Sequence, residues 1–287
     1  MPQSDVDQEL VNAAQAGSAA KVSELIASGA DPRSHKSLAL RRAADLGHLD
    51  CLRLLLPVSD PNATDCSALA RAAINGHVEC VMALLPASDP KADESLALRW
   101  AAEGGHEECV KLLLPTSDPA AKDSEALRAA ASSGHGECVR ILLPLSDPKA
   151  KDSLALRLAA GSGHLECLML LMPLSDVKAF DSLALRVAAD SGHAECARLL
   201  IRESGPLCEI AGLLEGVMSA GHAKVAAMLI GEEPRLLDGV DLLKCLAAAR
   251  EKGYGDLAAY LSSIMDQREL LGIVPDGIAS SVGLGRL

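Results

Sequence analysis

The feature that most constrains this chain is an internal repeat of 29 residues. The dipeptide Gly-His recurs at that spacing, with its glycine at 47, 76, 105, 134, 163, 192 and 221. The sequence around it reads approximately D-S-L-A-L-R-x-A-A-x-x-G-H-x-E-C-x-x-L-L-L-P-x-S-D-P-x-A-x. A fixed period of this length is typical of arrays in which each repeat packs on the next, so the fold is best derived one repeat at a time.

Each repeat carries the signals of two short helices. We expect the first helix to begin at Ser37, whose hydroxyl can accept a hydrogen bond from a free N–H of the first turn, and to end at Gly47. The second begins at His48, buries Cys51 and the leucines after it, and ends at Pro57, which cannot continue a helix. Two such helices cannot fold alone, but stacked repeats bury one continuous core, which predicts an all-α solenoid.

The repeat also resembles a known family. Residues 155–167, Ala-Leu-Arg-Leu-Ala-Ala-Gly-Ser-Gly-His-Leu-Glu-Cys, are similar to the T-P-L-H-x-A and G-H-L-E-V segments of the ankyrin repeat. Residues 12–17 and 29–32 are closer still to its ordinary form, and the resemblance covers about residues 5–262. Ordinary ankyrin repeats have about 33 residues and a β-hairpin between repeats. Here the hairpin tip is missing between Ala150 and Ser153, so we expect an ankyrin-like helix-turn-helix solenoid with short loops in place of β-hairpins.

The repeat pattern divides the chain into four segments. We expect an N-terminal capping repeat at 1–34, six 29-residue repeats at 35–205, degenerate repeats with a C-terminal cap at 206–271, and a flexible tail at 272–287. In the degenerate region Gly253-Tyr254 replaces Gly-His, and we expect Tyr254 and Tyr260 to seal the last interface between repeats.

Composition excludes several classes of partner. The net charge is −12, whereas a nucleic-acid binder needs a basic face, so we expect no nucleic-acid and no membrane partner. The sequence contains no run of about 18 apolar residues, so we expect no transmembrane helix. The acidic start of the chain lacks the pattern of a signal peptide. The nine cysteines are an odd number, at positions too far apart to pair, which favours a reducing compartment. We therefore expect a cytoplasmic monomer.

No residue pattern indicates catalysis or metal binding. His48 and Cys51 stand three apart, as in half a metal site, but packed helices lie about 8–10 Å apart and the next repeat is poorly placed to complete it. We interpret the histidine as a cap of the turn between helices and the cysteine as a small core residue. Acids and histidines recur in every repeat, as scaffold residues do, so we expect no catalytic residue, no cofactor and no metal.

An arginine column has two interpretations. It could face a ligand, or it could form a surface ladder with the acids that precede each arginine, and we favour the ladder. The arginines are Arg41, Arg99, Arg128, Arg157 and Arg186, and the acids are Glu94, Asp123, Asp152 and Asp181.

Positions that differ between repeats are the candidates for function, because the stacking does not fix them. In ankyrin arrays the first helix and the loop before it line the concave groove where partners usually dock, and the resemblance places the divergent columns there. Interfaces favour Trp and Arg. The alternative for each position is drift or packing between repeats. The candidate partner-binding residues are Arg42, Arg71, Ile74, Trp100, Glu103, Leu158 and Phe180.

The sequence therefore predicts a non-catalytic protein–protein interaction scaffold that binds another protein on its concave groove. Two alternatives stay open at this point. The array could be a bacterial effector or an immunity-type inhibitor that blocks an enzyme. The degenerate C-terminal region could instead hold a ligand or catalytic pocket.

Overall fold

The computed structural model describes residues 3–204, 212–232, 234–237 and 240–270. For residues 65–67, 180, 181, 204, 235, 269 and 270 it describes the backbone but not the side chain. The predicted tail at 272–287 lies outside the described residues. Within them are eighteen α-helices and no strand, which confirms the predicted fold class. None of the described helices is long and apolar enough to cross a membrane.

Residues 1–179 form a first compact unit built of helix pairs. Its helices are α1 Gln3–Gln15, α2 Ala19–Ala27, α3 Ser34–Asp45, α4 Leu49–Leu55, α5 Ala63–Ile74, α6 Val78–Leu84, α7 Ala92–Glu103, α8 Glu107–Leu113, α9 Ala121–Ser133, α10 Gly136–Leu142, α11 Ala150–Gly161 and α12 Leu165–Leu171.

The described residues from 180 onward form a second compact unit. Its helices are α13 Ala179–Asp190, α14 Ala194–Ser204, α15 Leu213–Ala220, α16 Ala223–Glu232, α17 Leu242–Glu251 and α18 Gly255–Leu270.

In the first unit the helices form two layers. The first helices pack in the order α1, α3, α5, α7, α9 and α11, and the second helices in the order α2, α4, α6, α8, α10 and α12. The core between the layers consists mainly of small and aliphatic side chains: Leu40, Ala43 and Ala44 are fully buried on α3, and Cys51 and Leu55 on α4. Alanine at these positions lets neighbouring helices approach closely, which is how helices of seven to thirteen residues become stable together.

The helix ends follow the sequence signals. Gly47 adopts a positive φ of 72°, and the N–H of His48 donates to the carbonyl oxygen of Ala43 at 2.9 Å, which satisfies the end of α3. His48 is the N-cap residue of α4, as predicted. After α4 a short 3₁₀ turn at Leu56–Val58 contains Pro57. Similar turns, each with the equivalent proline, follow α6, α10 and α12.

The start of each of the first helices α3, α7, α9 and α11, where one repeat joins the next, contains a left-handed turn that the sequence did not predict. His35, Lys36 and Ser37 have φ values of 49°, 58° and 54°, and the same conformation recurs at residues 93–95, 122–124 and 151–153. This turn takes the place of a β-hairpin. A left-handed conformation costs about 1–2 kcal/mol for each non-glycine residue, so contacts with the surrounding chain must hold it.

One of those contacts is made by the recurring serine. The Ser37 hydroxyl accepts a hydrogen bond from the backbone N–H of Asp60 at 2.9 Å, in the turn that leads to the next repeat. No side chain caps the start of α3. The predicted capping role is therefore wrong, because the hydroxyl bonds across the repeat boundary. In the first repeat the buried Asp7 takes the same role, accepting from the N–H of Asp31 at 2.8 Å.

The arginine column makes the other contact. Arg41 donates to the carbonyl oxygens of His35 and Lys36 at 3.0 and 3.1 Å, and so closes the left-handed turn of its own repeat. Arg128 does the same to the carbonyls of Lys122 and Asp123.

The acids of the expected ladder have other partners. The Asp123 carboxylate pairs with Lys151 of the next repeat at 3.3 Å rather than with Arg128, so the predicted ladder is wrong at this point. Glu94 likewise pairs with Lys122 of the next repeat, at 3.9 Å. A charge ladder does exist there, but its cations are lysines.

Candidate partner-binding face

The divergent residues lie on the exposed side of the stacked first helices. We call the exposed side of α3, α5, α7, α9 and α11 the first-helix face. Arg42, Arg71, Trp100 and Leu158 occupy the same position on four of these helices, with Ala129 on α9 between the last two. Because adjacent first helices pack against each other, these residues form one row across the repeats. Arg42 is exposed, and Arg71, Trp100 and Leu158 are half-buried.

Asp45 brings two of the predicted residues together. One of its carboxylate oxygens lies 3.6 Å from a guanidinium nitrogen of Arg42, and the other lies 3.3 Å from one of Arg71 on the next helix. The amide of Asn75 also donates to Asp45, at 3.3 Å. Asp45 was not among the predicted residues, although it stands in one of the divergent columns. Its position three residues after Arg42 was the signal in the sequence. The same acid also reaches Arg71, which holds the position of Arg42 in the next repeat.

Trp100 continues this row on α7. Its neighbours along the helix, Leu98 and Ala101, are fully buried, whereas Trp100 itself is only partly covered. Ile74 and Glu103 lie in the adjacent column, near the ends of α5 and α7, where Ile74 is half-buried and Glu103 is exposed. The face at this point therefore presents an indole and an aliphatic side chain beside charged groups.

Arg99 differs from the rest of its column because it is buried. Its side chain is only 9% exposed and forms an ion pair with Glu125 on α9, in addition to an ion pair with Asp93 at 3.5 Å. Glu125 stands where other repeats have Leu38, Leu96 or Leu154, and that departure from the pattern was the signal for this pair. The pair links α7 to α9 at the residue that precedes Trp100.

One predicted residue cannot be placed. The side chain of Phe180 lies outside the described residues, so its proposed role stays a prediction.

The recurring Gly-His pair belongs to the scaffold. Nε2 of His77 donates to the carbonyl oxygen of Asp45, 3.1 Å away in the preceding repeat, and its ring lies against Gly47. A Cβ atom at Gly47 would lie 2.5 Å from Nδ1 of that ring. The histidine thus caps a turn between two helices, as we interpreted it, but that turn belongs to the preceding repeat.

Within the second unit, Tyr254 and Lys252 divide this histidine's role. The Tyr254 ring lies against Gly221, as histidine rings do elsewhere. Lys252 donates to the carbonyl oxygen of Ser219 at 3.1 Å, and Ser219 stands two residues before the glycine just as Asp45 does before Gly47. This agrees with the expectation that Tyr254 seals the last interface.

The repeated cysteines are core residues. Burial, followed by the charge of neighbouring acids, raises the pKa of the Cys80, Cys109, Cys138 and Cys167 thiols to about 11. A thiol is a metal ligand or nucleophile only as the thiolate, which burial of this kind suppresses. Among the described residues no group of three or more His, Cys, Asp or Glu side chains is placed to hold a metal ion.

The fold and this face define a class, that of helix-pair repeat proteins with an exposed first-helix surface. Comparison with known proteins gives the family. The model of the ankyrin repeats family, "Ankyrin repeats (3 copies)", matches residues 10–96, 42–123, 69–152 and 127–210, and the chain therefore belongs to the ankyrin repeat family. Ankyrin repeats are generally protein–protein interaction scaffolds and typically non-catalytic.

A solved structure supports the assignment. The crystal structure of the human ASB11 ankyrin repeat domain is similar to this chain, with a TM-score of 0.61 and 25% sequence identity. The match covers 69% of this chain and 98% of that domain. No curated protein matches the chain significantly.

Proposed function

We propose that this chain is a non-catalytic scaffold that binds another protein through its first-helix face. The observation that carries the proposal is the contrast between two sets of residues. Those that recur in most repeats, such as Ser37, Arg41, Gly47 and His77, are engaged in contacts within and between repeats. The row containing Trp100 differs from repeat to repeat and is not needed for those contacts.

The composition of the face agrees with protein binding. Interfaces concentrate their binding energy in Trp, Tyr and Arg, and the chain has one tryptophan, which lies half-buried in the row beside Arg71. A tryptophan that only supported the core would be expected to be covered. The other members of the row, Ala129 and Leu158, leave room for a partner's side chains.

The recurring side chains support a role without catalysis in a reducing compartment. The histidines and cysteines that could serve catalysis are used by the scaffold. Six cysteines of the recurring column are free and buried, which suits a reducing compartment such as the cytoplasm. Exposed ion pairs on the second helices, such as those of Arg140 with Glu137 and Glu166, place charge on that side of the repeats, which supports a monomer.

A photo-crosslinking experiment in the source cell tests the proposed face. The photoreactive residue p-benzoylphenylalanine is placed either at Ala129, in the row on α9, or at Lys111, which is exposed on α8. We expect covalent adducts with a partner protein from position 129 and none of the same mass from position 111. Adducts from position 111 alone, or none from either, would show that the partner does not bind this face.

A further inference from the structure

An excess of positive charge gathers at one end of the first-helix face. We call Arg41, Arg42 and Arg71 the arginine patch. Among the residues that the structure describes, Asp45 is the one carboxylate that forms ion pairs with these guanidinium groups. Arg41 is held by neutral carbonyl oxygens, so its charge is not balanced by an acid. Among the described side chains, these three cations therefore have one paired anion, Asp45, in a chain whose net charge is −12.

The three guanidinium groups act on one another. Burial lowers the pKa of Arg41, and the nearby charges of Arg71 and Arg42 lower it further, which places the three groups within electrostatic reach. Like charges are unfavourable at such distances unless an anion compensates them. The arrangement of the three arginines therefore favours the binding of a negatively charged group.

The patch has unused hydrogen-bond donors. Arg42 and Arg71 each reach Asp45 with a single terminal nitrogen, and their side chains are 45% and 37% exposed. A guanidinium group carries five N–H donors in a planar fork that fits a carboxylate in a bidentate manner. Both arginines can therefore bind a second carboxylate without releasing Asp45, which holds them side by side.

Apolar groups border the patch. Leu46 is 44% exposed at the end of α3, Ile74 is half-buried on α5, and Trp100 lies one repeat further along. On the other side the positions of α1 that correspond to Arg41 and Arg42 hold the uncharged Val11 and Asn12. A ligand that fills this surface needs negative charge over the arginines and an apolar side chain against the indole.

We infer that the arginine patch binds a carboxylate-bearing segment of the partner protein, with a large apolar side chain of that segment packed on Trp100. This inference rests on the proposed function and specifies its partner. Because the chain as a whole repels acidic proteins, a local positive patch orients such a partner as well as attracting it. A nucleic acid fits less well, since a polyanion needs a longer basic surface than three arginines provide in a chain whose net charge is −12.

Peptide selection on the full chain tests the inference. A phage-displayed library of short random peptides is selected at low salt, and the best binder is synthesised and its Kd measured. We expect selected peptides to be enriched in Asp and Glu over the input library and to contain a large apolar residue. The double variant R42Q/R71Q should bind the peptide at least about tenfold more weakly, and high salt should reduce that difference.

The control variant is R53Q/R140Q, which removes two exposed arginines from the second helices α4 and α10. It changes the net charge equally and should leave peptide affinity unchanged. The inference is overturned if no acidic peptides are enriched, or if both double variants weaken binding equally. It is also overturned if a single-stranded DNA oligonucleotide binds and loses affinity in R42Q/R71Q.

The outcomes separate this inference from the proposed function. If non-acidic peptides are selected and their binding is lost in Trp100→Ala, the first-helix face is a binding site but its partner is not acidic. If acidic peptides depend on the arginine patch while crosslinking from Ala129 finds no protein, the patch binds carboxylates and the scaffold proposal fails.

Discussion

The imidazole of His106 donates a hydrogen bond from Nε2 to the carbonyl oxygen of Ile74, 2.9 Å away and 32 residues earlier in the chain. Its ring also covers Gly76, so that one side chain closes the end of the preceding repeat's first helix both by hydrogen bonding and by packing. His48, His77, His135 and His164 make the same hydrogen bond. The fixed Gly-His dipeptide is therefore explained by stacking, which leaves the variable positions to account for function.

Replacing His106 should destabilise the fold. In His106→Ala the carbonyl of Ile74 loses its partner and Gly76 loses its cover, so we expect the free energy of unfolding to fall by about 1–3 kcal/mol in urea titration. Met82→Ala, which shortens an exposed side chain on α6, is the control and should change it by less than about 0.5 kcal/mol. Equal effects of the two substitutions would contradict the capping role.

Two glycines separate backbone strain from the contact with histidine. Gly47 and Gly253 have nearly the same φ, 72° and 75°, but only Gly47 lies beneath a ring, that of His77. We expect Gly253→Ala to cost about 1 kcal/mol for the positive φ alone. Gly47→Ala should cost at least about 1 kcal/mol more because the added methyl group displaces the ring. Both are measured as free energies of unfolding, and equal costs would show that the ring contact does not matter.

The buried thiols should resist alkylation. With a pKa of about 11, only about one in a thousand thiol groups of Cys109 or Cys138 is ionised at pH 8 in the folded chain. Iodoacetamide labelling read by mass spectrometry should find these two cysteines unmodified until urea is added, whereas the half-buried Cys245 reacts before them. Rapid labelling of Cys109 in the native chain would contradict its place in the core.

The same shift gives a direction for stability against pH. Because the folded-state pKa of these thiols is raised, their contribution to stability is complete below the ordinary thiol value near 9. It is lost as pH rises toward 11, since the unfolded chain ionises first. The Cys109→Ala variant should lose less stability between pH 9 and 11 than the unmodified chain does.

Trp100 serves either partner binding or packing between repeats, and the two roles predict different losses of folding stability in Trp100→Ala. If it serves binding, Trp100→Ala should lower the free energy of unfolding by about 1–2 kcal/mol, because the indole is covered only in part. Leu98→Ala, at a fully buried position two residues earlier, should cost about 2–5 kcal/mol. A cost for Trp100→Ala as large as that for Leu98→Ala would assign the indole to packing between repeats instead.

The sequence predicted correctly those features that a residue determines at its own position in the backbone. Gly47 ends a helix through its own φ, Pro57 stops the next helix through its own ring, and the missing Asp-Gly tip between Ala150 and Ser153 removes the hairpin. Each of these effects is local. The fold class follows from them and from the period, because a repeated pair of amphipathic helices has few ways to bury its apolar faces.

The sequence did not predict the partners of side chains that bind another repeat or a backbone group. The Ser37 hydroxyl bonds to Asp60 and not to its own helix, and Arg128 bonds to carbonyl oxygens and not to the Asp123 carboxylate. Three successive left-handed residues without glycine had no signal at all. The candidate face was located from the resemblance, whereas Asp45, which joins Arg42 to Arg71, required the packing of α3 on α5.

The central claim is that the first-helix face binds a protein, and the chain's single tryptophan reports on that face directly. The decisive measurement titrates a captured partner into the full chain and follows Trp100 emission against 1:1 binding measured independently by sedimentation. The partner used must lack tryptophan or carry a non-emitting tryptophan analogue, so that Trp100 alone is observed. We then expect a saturable shift of the emission to shorter wavelength as the half-buried indole becomes covered. Full binding with unchanged Trp100 emission would contradict it.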